Sequence, residues 1–276
     1  MRVGFVGLGQ MGEGMALRIA GAGHALSVSD LRPEPVARLE QAGARRVTDN
    51  AELGAVSEVV CIAVYGEQTA RDVCLPPDGV LSGMRPGSIL IVHCTLPSDT
   101  MVAISAAAAE NGVAMLEATL SGGGEQAARL GELTMMIGGS DALLERVRPL
   151  LSAMATNIFH IGPIGAASNA KFINNFVVVT EMAAIREALE VAASIGIDEE
   201  TMLGIFNAGR MATSWKTQNW QAVREMEKAH DGGNMAGSAR KDMEVMAQLA
   251  SAGGTIAPLA GFMEQLLPSL RNGLTR

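Results

Sequence analysis

The sequence has few cysteines and fewer basic than acidic residues, and both shortages exclude classes of protein. Its 276 residues include three cysteines, Cys61, Cys74 and Cys94, none of them in a CxxC pair. Such sparse thiols predict neither a metal site nor a disulfide framework, and they are typical of the reducing cytoplasm. Lys and Arg number 21 against 29 Asp and Glu, a formal charge of -8 at pH 7. We therefore expect no nucleic-acid partner, whereas a small anionic substrate is compatible because local N–H groups outweigh the global field.

Long uninterrupted apolar runs are missing as well. Hydrophobic residues make up 48% of the chain, yet charged residues, Gly or Pro interrupt every apolar run. None reaches the eighteen or so residues that a membrane span requires. The first six residues lead directly into a strand and a glycine turn, without the charged and apolar regions of an export signal. The sequence thus predicts a cytoplasmic protein with no membrane partner.

The first 160 or so residues alternate short β-branched runs with helical stretches, with Gly or Pro at the joints. This alternation is typical of a parallel sheet covered by helices. Strands are predicted at 3–6, 25–29, 58–64, 89–93, 113–117, 133–137 and 157–161. The sequence therefore predicts a doubly wound α/β domain over residues 1–162.

After Gly165 the β-branched runs give way to stretches rich in Ala, Met, Leu and Glu with helical spacing. Helices are predicted at 166–195, 199–207, 214–230, 237–252 and 259–270. The first of these is long enough to join two domains. We therefore expect residues 163–276 to form an all-α domain that is joined to the first domain through a long helix.

A glycine motif follows the first predicted strand and opens a helix. It reads Gly7-Leu8-Gly9-Gln10-Met11-Gly12. In a dinucleotide-binding Rossmann unit the first glycine permits a tight turn, the second lets the backbone approach the pyrophosphate, and the third packs helix on strand. The helix N-terminus supplies N–H donors to the phosphates. The context of strand, glycines and helix predicts a nicotinamide cofactor, NAD or NADP.

Two residues after the second predicted strand bear on the choice of cofactor. Asp30 follows Gly12 by eighteen residues, near the spacing of a carboxylate that accepts from the adenosine ribose hydroxyls. Its charge repels a 2′-phosphate and therefore favours NAD. Arg32 is able to pair with a 2′-phosphate, so NADP or dual use stays open.

A second glycine cluster, Leu120-Ser121-Gly122-Gly123-Gly124, follows the predicted strand 113–117 and precedes a helix. Converging backbone N–H groups and the Ser121 hydroxyl would form a nest for a substrate carboxylate. The same residues are equally typical of a plain strand-to-helix turn, so the pattern by itself leaves both interpretations open.

Lys171 and Asn175 stand four residues apart near the start of the long predicted helix, which places both on one face. Hydride transfer to a carbonyl needs a proton donor at the developing alkoxide, and the reverse reaction needs a base. A lysine serves in both directions when its pKa is depressed, and a helix N-terminus disfavours the ammonium form. Helical lysines are usually solvated, so spacing alone does not assign this role.

Four motifs in order make the chain similar to the β-hydroxyacid dehydrogenase family, which includes 3-hydroxyisobutyrate dehydrogenase and tartronate semialdehyde reductase. The resemblance covers nearly the whole length. It rests on residues 5–12, on 117–123 running to Gly131-Glu132-Leu133, on Gly162 to Gly165 leading to Lys171-Phe172-Ile173-Asn174-Asn175, and on Lys241-Asp242-Met243.

The resemblance implies a function and a set of site residues. It implies that a small hydroxy acid, resembling 3-hydroxyisobutyrate, is oxidised reversibly by NAD or NADP, in a homodimer or homotetramer. Lys171 would be the catalytic acid and base, Asn175 would assist it, and Ser121, Gly122 and Gly123 would bind the substrate carboxylate. Val64, Tyr65, Thr95 and Lys241 would contact the cofactor or line the cleft.

The chain departs from the family pattern at several positions. His93 and Cys94 replace the usual Asp and Ser, and Thr119 replaces a usual proline. We expect His93 and Cys94 to pack in the interior. Asn234 and Ser238 replace the usual Phe and Leu, which predicts a different pocket wall. Two alternatives are an imine reductase, which usually carries Asp or Tyr at the position of Lys171, and a noncatalytic dinucleotide-binding protein.

Overall fold

The computed structural model describes residues 1–75, 77–229 and 234–270, with side chains described for 1–75, 77–225 and 239–267. The chain divides into two compact units, Met1–Lys171 and Phe172–Arg276. Each unit has its own hydrophobic clusters of buried side chains.

The first unit is built on one eight-stranded sheet of order β3-β2-β1-β4-β5-β6-β7-β8. The strands are β1 Arg2–Val6, β2 Ala25–Ser29, β3 Arg45–Arg46, β4 Val59–Ile62, β5 Ile89–Val92, β6 Ala114–Ser121, β7 Leu133–Gly138 and β8 Ala155–Gly162. All neighbours pair in parallel except β6 and β7. The predicted fold class is confirmed: this is a mostly parallel, Rossmann-like sheet.

Helices cover both faces of this sheet. They are α1 Gly12–Gly21, α2 Pro33–Gln41, α3 Asn50–Val56, α4 Glu67–Cys74, α5 Ser98–Glu110, α6 Gly124–Leu130 and α7 Asp141–Ser152. Because successive strand residues point to opposite faces, Phe5 packs in one core with α1, α2, α6 and α7, whereas Val6 packs in the other with α3, α4 and α5. The sheet is therefore doubly wound.

The strand pattern departs from the prediction at β6, which extends four residues beyond Glu117 to Ser121. The extension is paired with β7, antiparallel, through Ser121 and Thr134. The intervening α6 has seven residues, about 10 Å of rise, and cannot return the chain along the roughly 26 Å of β6. The chain therefore reverses beside β6. The prediction of a purely parallel sheet is wrong at this one pair of strands. The short strand β3 was also not predicted, because two arginines carry no apolar signal.

A buried carboxylate joins three helices of the first unit. Glu13 of α1 has a side chain 8% exposed, and it accepts from Arg38 of α2 through two contacts of 2.7 Å. Arg129 of α6 donates to it at 3.2 Å. The pKa of Glu13 is lowered below its usual 4.5, chiefly by the hydrogen bonds from Arg38. Burial acts in the opposite direction, but the charges of both guanidinium groups and the hydrogen bond from Arg129 help to outweigh it.

We expect Glu13→Gln to lower the free energy of unfolding at pH 7 by about 2 kcal/mol, since the contacts with Arg38 and Arg129 lose the carboxylate charge and one acceptor oxygen. A folded-state pKa below the unfolded value contributes stability above pH 4.5 that is lost as the pH falls through the folded pKa. The difference between wild type and variant should therefore shrink on acidification. Urea titrations at pH 7 and pH 3.5 measure it, with Glu40→Gln, an exposed carboxylate of α2, as control. A constant difference at both pH values would contradict the account.

The regular elements in the described part of the second unit are all helices. Helix α8 Ala166–Ser194 begins in the first unit and continues into the second, followed by α9 Glu199–Ala208, α10 Trp215–Gln218, α11 Trp220–Ala229, α12 Asn234–Ala252 and α13 Pro258–Leu270. Two apolar clusters hold it: α8 packs with α12 and α13 through Met243, and with α11 through Trp220. The helical assignment of this region is confirmed. No helix among the described residues has the length and apolar character needed to cross a membrane.

The helix predicted at 214–230 is wrong in one respect, because it is two helices. Ser214 and Thr217 form a capping box at the start of α10. The chain leaves helical geometry at Asn219, whose side-chain nitrogen donates to the carbonyl of Trp215 at 2.8 Å. The side chain of Asn219 and its backbone N–H both donate to this carbonyl, so the side chain competes with the hydrogen bonding of the helix. The predicted last residue, His230, and the side chains of Asn234 and Ser238 lie outside the described part.

Candidate active site

The glycine motif forms the turn between β1 and α1. Gly7 has a φ of 93°, and its N–H donates to the Ser29 carbonyl at 3.0 Å. A Cβ at Gly7 would lie 2.5 Å from the Ala63 carbonyl oxygen, and one at Gly12 would lie 1.9 Å from that of Gly7. A Cβ at Gly9 would meet nothing within 4 Å. Two glycines are thus required by close backbone packing, while Gly9 borders open space, as the approach of a pyrophosphate requires.

Asp30 and Arg32 lie against this turn and bind each other. Asp30 accepts from the N–H of Leu8 at 2.6 Å, and from the N–H and Nε of Arg32 at 2.8 and 3.2 Å. Arg32 also donates to the carbonyl of Leu8 at 2.8 Å. Burial raises the pKa of Asp30, but the hydrogen bonds from Arg32 and Leu8 and the charge of Arg32 outweigh it, and the pKa is lowered. The carboxylate and guanidinium that the sequence analysis weighed against each other therefore form one ion pair.

Val64 and Tyr65 follow β4, which is paired with β1, and Thr95 follows β5, which is paired with β4. Since the carboxyl ends of parallel strands meet at one edge, these residues and the glycine turn share the edge at which doubly wound folds bind dinucleotides. Val64 and Thr95 are half-buried, and Tyr65 is 69% exposed.

A polar network that the sequence analysis missed ties together the helices after these two loops. Thr100 of α5, which is buried, donates to Glu67 of α4 at 2.6 Å and accepts from Arg71 at 2.9 Å. Arg71 also pairs with Glu67 at 3.1 Å. The network fixes the first turn of α5 to α4, and hence the loops that carry Tyr65 and Thr95. Only the i,i+4 spacing of Glu67 and Arg71 was visible in the sequence.

Ser121, Gly122 and Gly123 lie where β6 ends and α6 begins. Gly122 and Gly123 have φ values of 120° and 100°, and Gly124 has 74°, a region that residues with side chains rarely adopt. Ser121 is half-buried, whereas Gly122 and Gly123 are exposed. The three consecutive positive φ angles place exposed glycine backbone at the start of a helix. The first N–H groups of a helix have no intrahelical partner, so such a place is suited to an anion.

Lys171 and Asn175 are both half-buried on one face of α8. In the second unit, Asn175 donates its side-chain nitrogen to Asp242 of α12 at 2.8 Å, and its side-chain oxygen accepts from the side-chain nitrogen of Asn174 at 3.4 Å. Lys241, which is half-buried, precedes Asp242 on the same helix. Asp242 is part of the sequence motif Lys241-Asp242-Met243, in which no role was given to this residue. Its contact with Asn175 orients the amide of that side chain.

His93 and the three cysteines are buried, as expected for His93 and Cys94. His93 Nδ1 lies 2.9 Å from the Ala118 carbonyl, its ring stacks on Phe5, and burial lowers its pKa to about 4. Burial raises the pKa of Cys61 and of Cys94 to about 12, and it raises that of Cys74 as well. Neutral imidazole and protonated thiols are inert here. Among the described residues no group of His, Cys, Asp or Glu is arranged to hold a metal.

Comparison with known proteins agrees with this geometry. Residues 2–162 match a family model described as the NAD binding domain of 6-phosphogluconate dehydrogenase. Residues 165–276 match one described as NAD-binding of NADP-dependent 3-hydroxyisobutyrate dehydrogenase. Sheet, glycine turn and both matches define an NAD(P)-dependent oxidoreductase.

Individual relatives cover nearly the whole chain. An NAD-dependent L-serine dehydrogenase of Pseudomonas aeruginosa is 33% identical over 94% of this chain and 88% of its own. An L-threonate dehydrogenase of Escherichia coli O6:H1 is 33% identical over 98% and 89%. A crystal structure of 3-hydroxyisobutyrate dehydrogenase from Salmonella typhimurium aligns with a TM-score of 0.86 and 32% identity over 99% and 95%. The chain therefore belongs to the β-hydroxyacid dehydrogenase family, as the sequence motifs predicted.

Proposed function

We propose that this dehydrogenase oxidises a small 3-hydroxy acid reversibly to its semialdehyde or keto form, with Lys171 as the general acid and base. The observation that carries the proposal is the pair on α8, half-buried Lys171 and Asn175, whose amide is oriented by Asp242. When bound, the nicotinamide supplies the hydride acceptor or donor. Lys171 takes the proton of the substrate hydroxyl during oxidation and returns it to the alkoxide during reduction. The side-chain oxygen of Asn175 accepts from the substrate hydroxyl or from the ammonium group.

The substrate carboxylate is assigned to the nest at Ser121, Gly122 and Gly123. Support comes from the run of positive φ angles at an exposed helix start. The relatives are named for L-serine, L-threonate and 3-hydroxyisobutyrate, which share a carboxylate and a hydroxyl group and differ in the remaining substituents. A nest for the shared carboxylate is compatible with all three, so we propose the class of acid and leave the substituent to experiment.

The cofactor groups are assigned to the sheet edge. Gly7 to Gly12 would hold the pyrophosphate, with open space at Gly9. Asp30 would accept from the adenosine ribose, and Val64, Tyr65 and Thr95 would border the dinucleotide. Lys241 stays a cofactor contact that the family resemblance implies. A homodimer or homotetramer remains our expectation, supported by exposed apolar side chains on the second unit such as Val191 and Phe262, 57% and 58% exposed.

An activity screen tests this function directly. The purified chain is incubated with NAD or NADP and L-serine, L-threonate, 3-hydroxyisobutyrate and 2-(hydroxymethyl)glutarate, and reduction is followed at the absorbance of the reduced cofactor. We expect turnover of at least one acid. A parallel assay with cyclic imines and reduced cofactor tests the alternative, an imine reductase. Turnover of imines without turnover of any hydroxy acid would favour an imine reductase, and binding of the dinucleotide without either reaction would favour a noncatalytic protein.

We expect a preference for NAD, because Asp30 presents a carboxylate where a 2′-phosphate would lie and Arg32 is already paired with it. Asp30→Asn keeps an acceptor for the N–H of Leu8 but removes the charge. The ratio of kcat/KM for NAD to that for NADP should fall by about tenfold or more, the equivalent of one charge-assisted hydrogen bond. Arg32→Ala is the companion variant and should lower kcat/KM for NADP more than for NAD. A wild-type preference for NADP would overturn the cofactor assignment.

A further inference from the structure

Glu117 is a carboxylate in the interior of the first unit that the proposed mechanism does not use. It lies in the middle of β6 and is 0% exposed. Its two oxygens each accept a backbone N–H: Oε2 from Gly165 at 2.8 Å, and Oε1 from Ser168 at 2.5 Å. Gly165 immediately precedes α8, and Ser168 lies in its first turn. The carboxylate therefore satisfies N–H groups that a helix start leaves without an intrahelical partner.

A second residue of β6 binds the same turn. Thr119, also 0% exposed, donates its hydroxyl to the Ala167 carbonyl at 3.2 Å. Because residues two apart point to the same face of a strand, Glu117 and Thr119 approach α8 together. We call these two side chains the β6–α8 clamp.

The neighbouring strand leaves room for the clamp. Gly138 of β7 is paired in register with Glu117. A Cβ at Gly138 would lie 2.5 Å from Glu117 Oε2 and 2.9 Å from the Pro163 carbonyl oxygen. Gly138 is not among the glycines with positive φ, so its backbone does not require glycine. Glycine is required here because the Glu117 carboxylate, which contacts the start of α8, occupies the space that a Cβ would need.

We infer that the β6–α8 clamp is a positioning device for Lys171, which fixes the amine relative to the glycine nest at the end of β6. The inference rests on the proposed function. Lys171 follows Ser168 by three residues and therefore lies on the same side of α8 one turn later. Ser121 follows Glu117 by four residues on the same strand. One strand thus carries the carboxylate nest and also holds the first turn of the helix that carries the amine, so a loosened clamp changes the separation of the two.

The kinetic consequence is a loss of kcat without a loss of binding. The clamp variants leave the residues of the nest and of the cofactor turn unaltered in the sequence, so we expect the ground-state affinities for acid and cofactor to be retained. Proton transfer to Lys171 occurs on the way to the transition state and depends steeply on geometry. We expect Glu117→Gln, which replaces one acceptor oxygen by a donor, to lower kcat about tenfold with KM values changed less than about twofold. Thr119→Val should lower kcat about threefold, and Thr119→Ser, which keeps the hydroxyl, should restore it.

The decisive experiment compares each clamp variant in the wild-type and Lys171→Ala backgrounds, with the hydroxy acid that the wild type oxidises fastest. If the clamp acts through Lys171, its variants lower kcat in the wild type and cause no further loss when the amine is absent. An equal loss in both backgrounds would show a general structural role and overturn the inference while leaving the proposed function intact. Full turnover by Lys171→Ala would instead overturn the proposed function. Glu110→Gln, an exposed carboxylate at the end of α5, controls for the charge removed.

Two further measurements apply where Glu117→Gln does not fold. Gly138→Ala keeps Glu117 unaltered, but its Cβ would push the carboxylate away from α8. This variant should reproduce the tenfold loss of kcat. Amide hydrogen exchange of the wild type reports the contact directly, without any assay of activity. Gly165 and Ser168 should be protected although they stand at a helix start. Exchange at the rate of a free helix end would overturn the inference.

Discussion

Replacing Lys171 by Ala is expected to lower kcat/KM for oxidation of the hydroxy acid about 10³-fold, within the range that a positioned general acid or base contributes. The loss should fall on kcat, because the amine acts on a proton that moves only during the reaction. Stopped-flow and steady-state reduction of NAD measure it. The dissociation constant of NAD, from fluorescence titration, should change little, since the glycine turn is not altered.

Two companion variants separate proton transfer from charge. Lys171→Arg keeps a positive charge but cannot release a proton near neutral pH, and it should be nearly as inactive as Lys171→Ala. A small primary amine added to Lys171→Ala should restore part of the rate, since half-buried Lys171 leaves a space of its own shape when truncated. Activity of Lys171→Arg close to that of the wild type would show that the lysine acts through charge alone, and the assigned proton transfer would be wrong.

The second large effect is expected at the glycine turn. Gly12→Ala and Gly9→Ala each add one methyl group, but the first should affect both stability and NAD binding and the second NAD binding alone. A Cβ at Gly12 would collide with the Gly7 carbonyl oxygen at 1.9 Å, so Gly12→Ala must displace the turn. We expect it to weaken NAD binding about 100-fold and to lower the free energy of unfolding by about 2 to 3 kcal/mol. Gly9→Ala meets no protein atom within 4 Å and should weaken NAD binding with little change in stability.

The control for this pair is Gly21→Ala at the end of α1, which is exposed and also meets nothing within 4 Å. It should leave binding and stability nearly unchanged. Calorimetric titration with NAD and thermal unfolding of the three variants measure both effects. If Gly9→Ala bound NAD as tightly as the wild type, the open space beside Gly9 would not be the place of the pyrophosphate.

The sequence predicted the elements whose signal is local. Strands β1 and β2 and helix α8 lie within one or two residues of the expected bounds, because β-branched runs, glycine turns and long Ala- and Leu-rich stretches mark them. The glycine turn, too, could be interpreted from three glycines and their neighbours. The family resemblance supplied what spacing could not, namely a role for Lys171 and Asn175.

What could not be predicted depends on partners distant in the chain. Glu117 binds residues 48 and 51 positions away, and nothing near it in the sequence marks a carboxylate as buried. The extension of β6 to Ser121 depends on antiparallel pairing with β7. Asp30 and Arg32 were weighed as competing determinants of cofactor choice, whereas their proximity allows an ion pair. The sequence shows residue types at these positions, and only the fold shows which of them meet.

The burial of Cys61, Cys74 and Cys94 has a practical consequence. Thiol-directed dyes and spin labels react with the thiolate, and burial keeps all three side chains protonated and covered at neutral pH. A single cysteine introduced at an exposed position such as Val102 of α5 would therefore be labelled selectively without removing a native one. Spectroscopic reporters can thus be placed one at a time on the unaltered background.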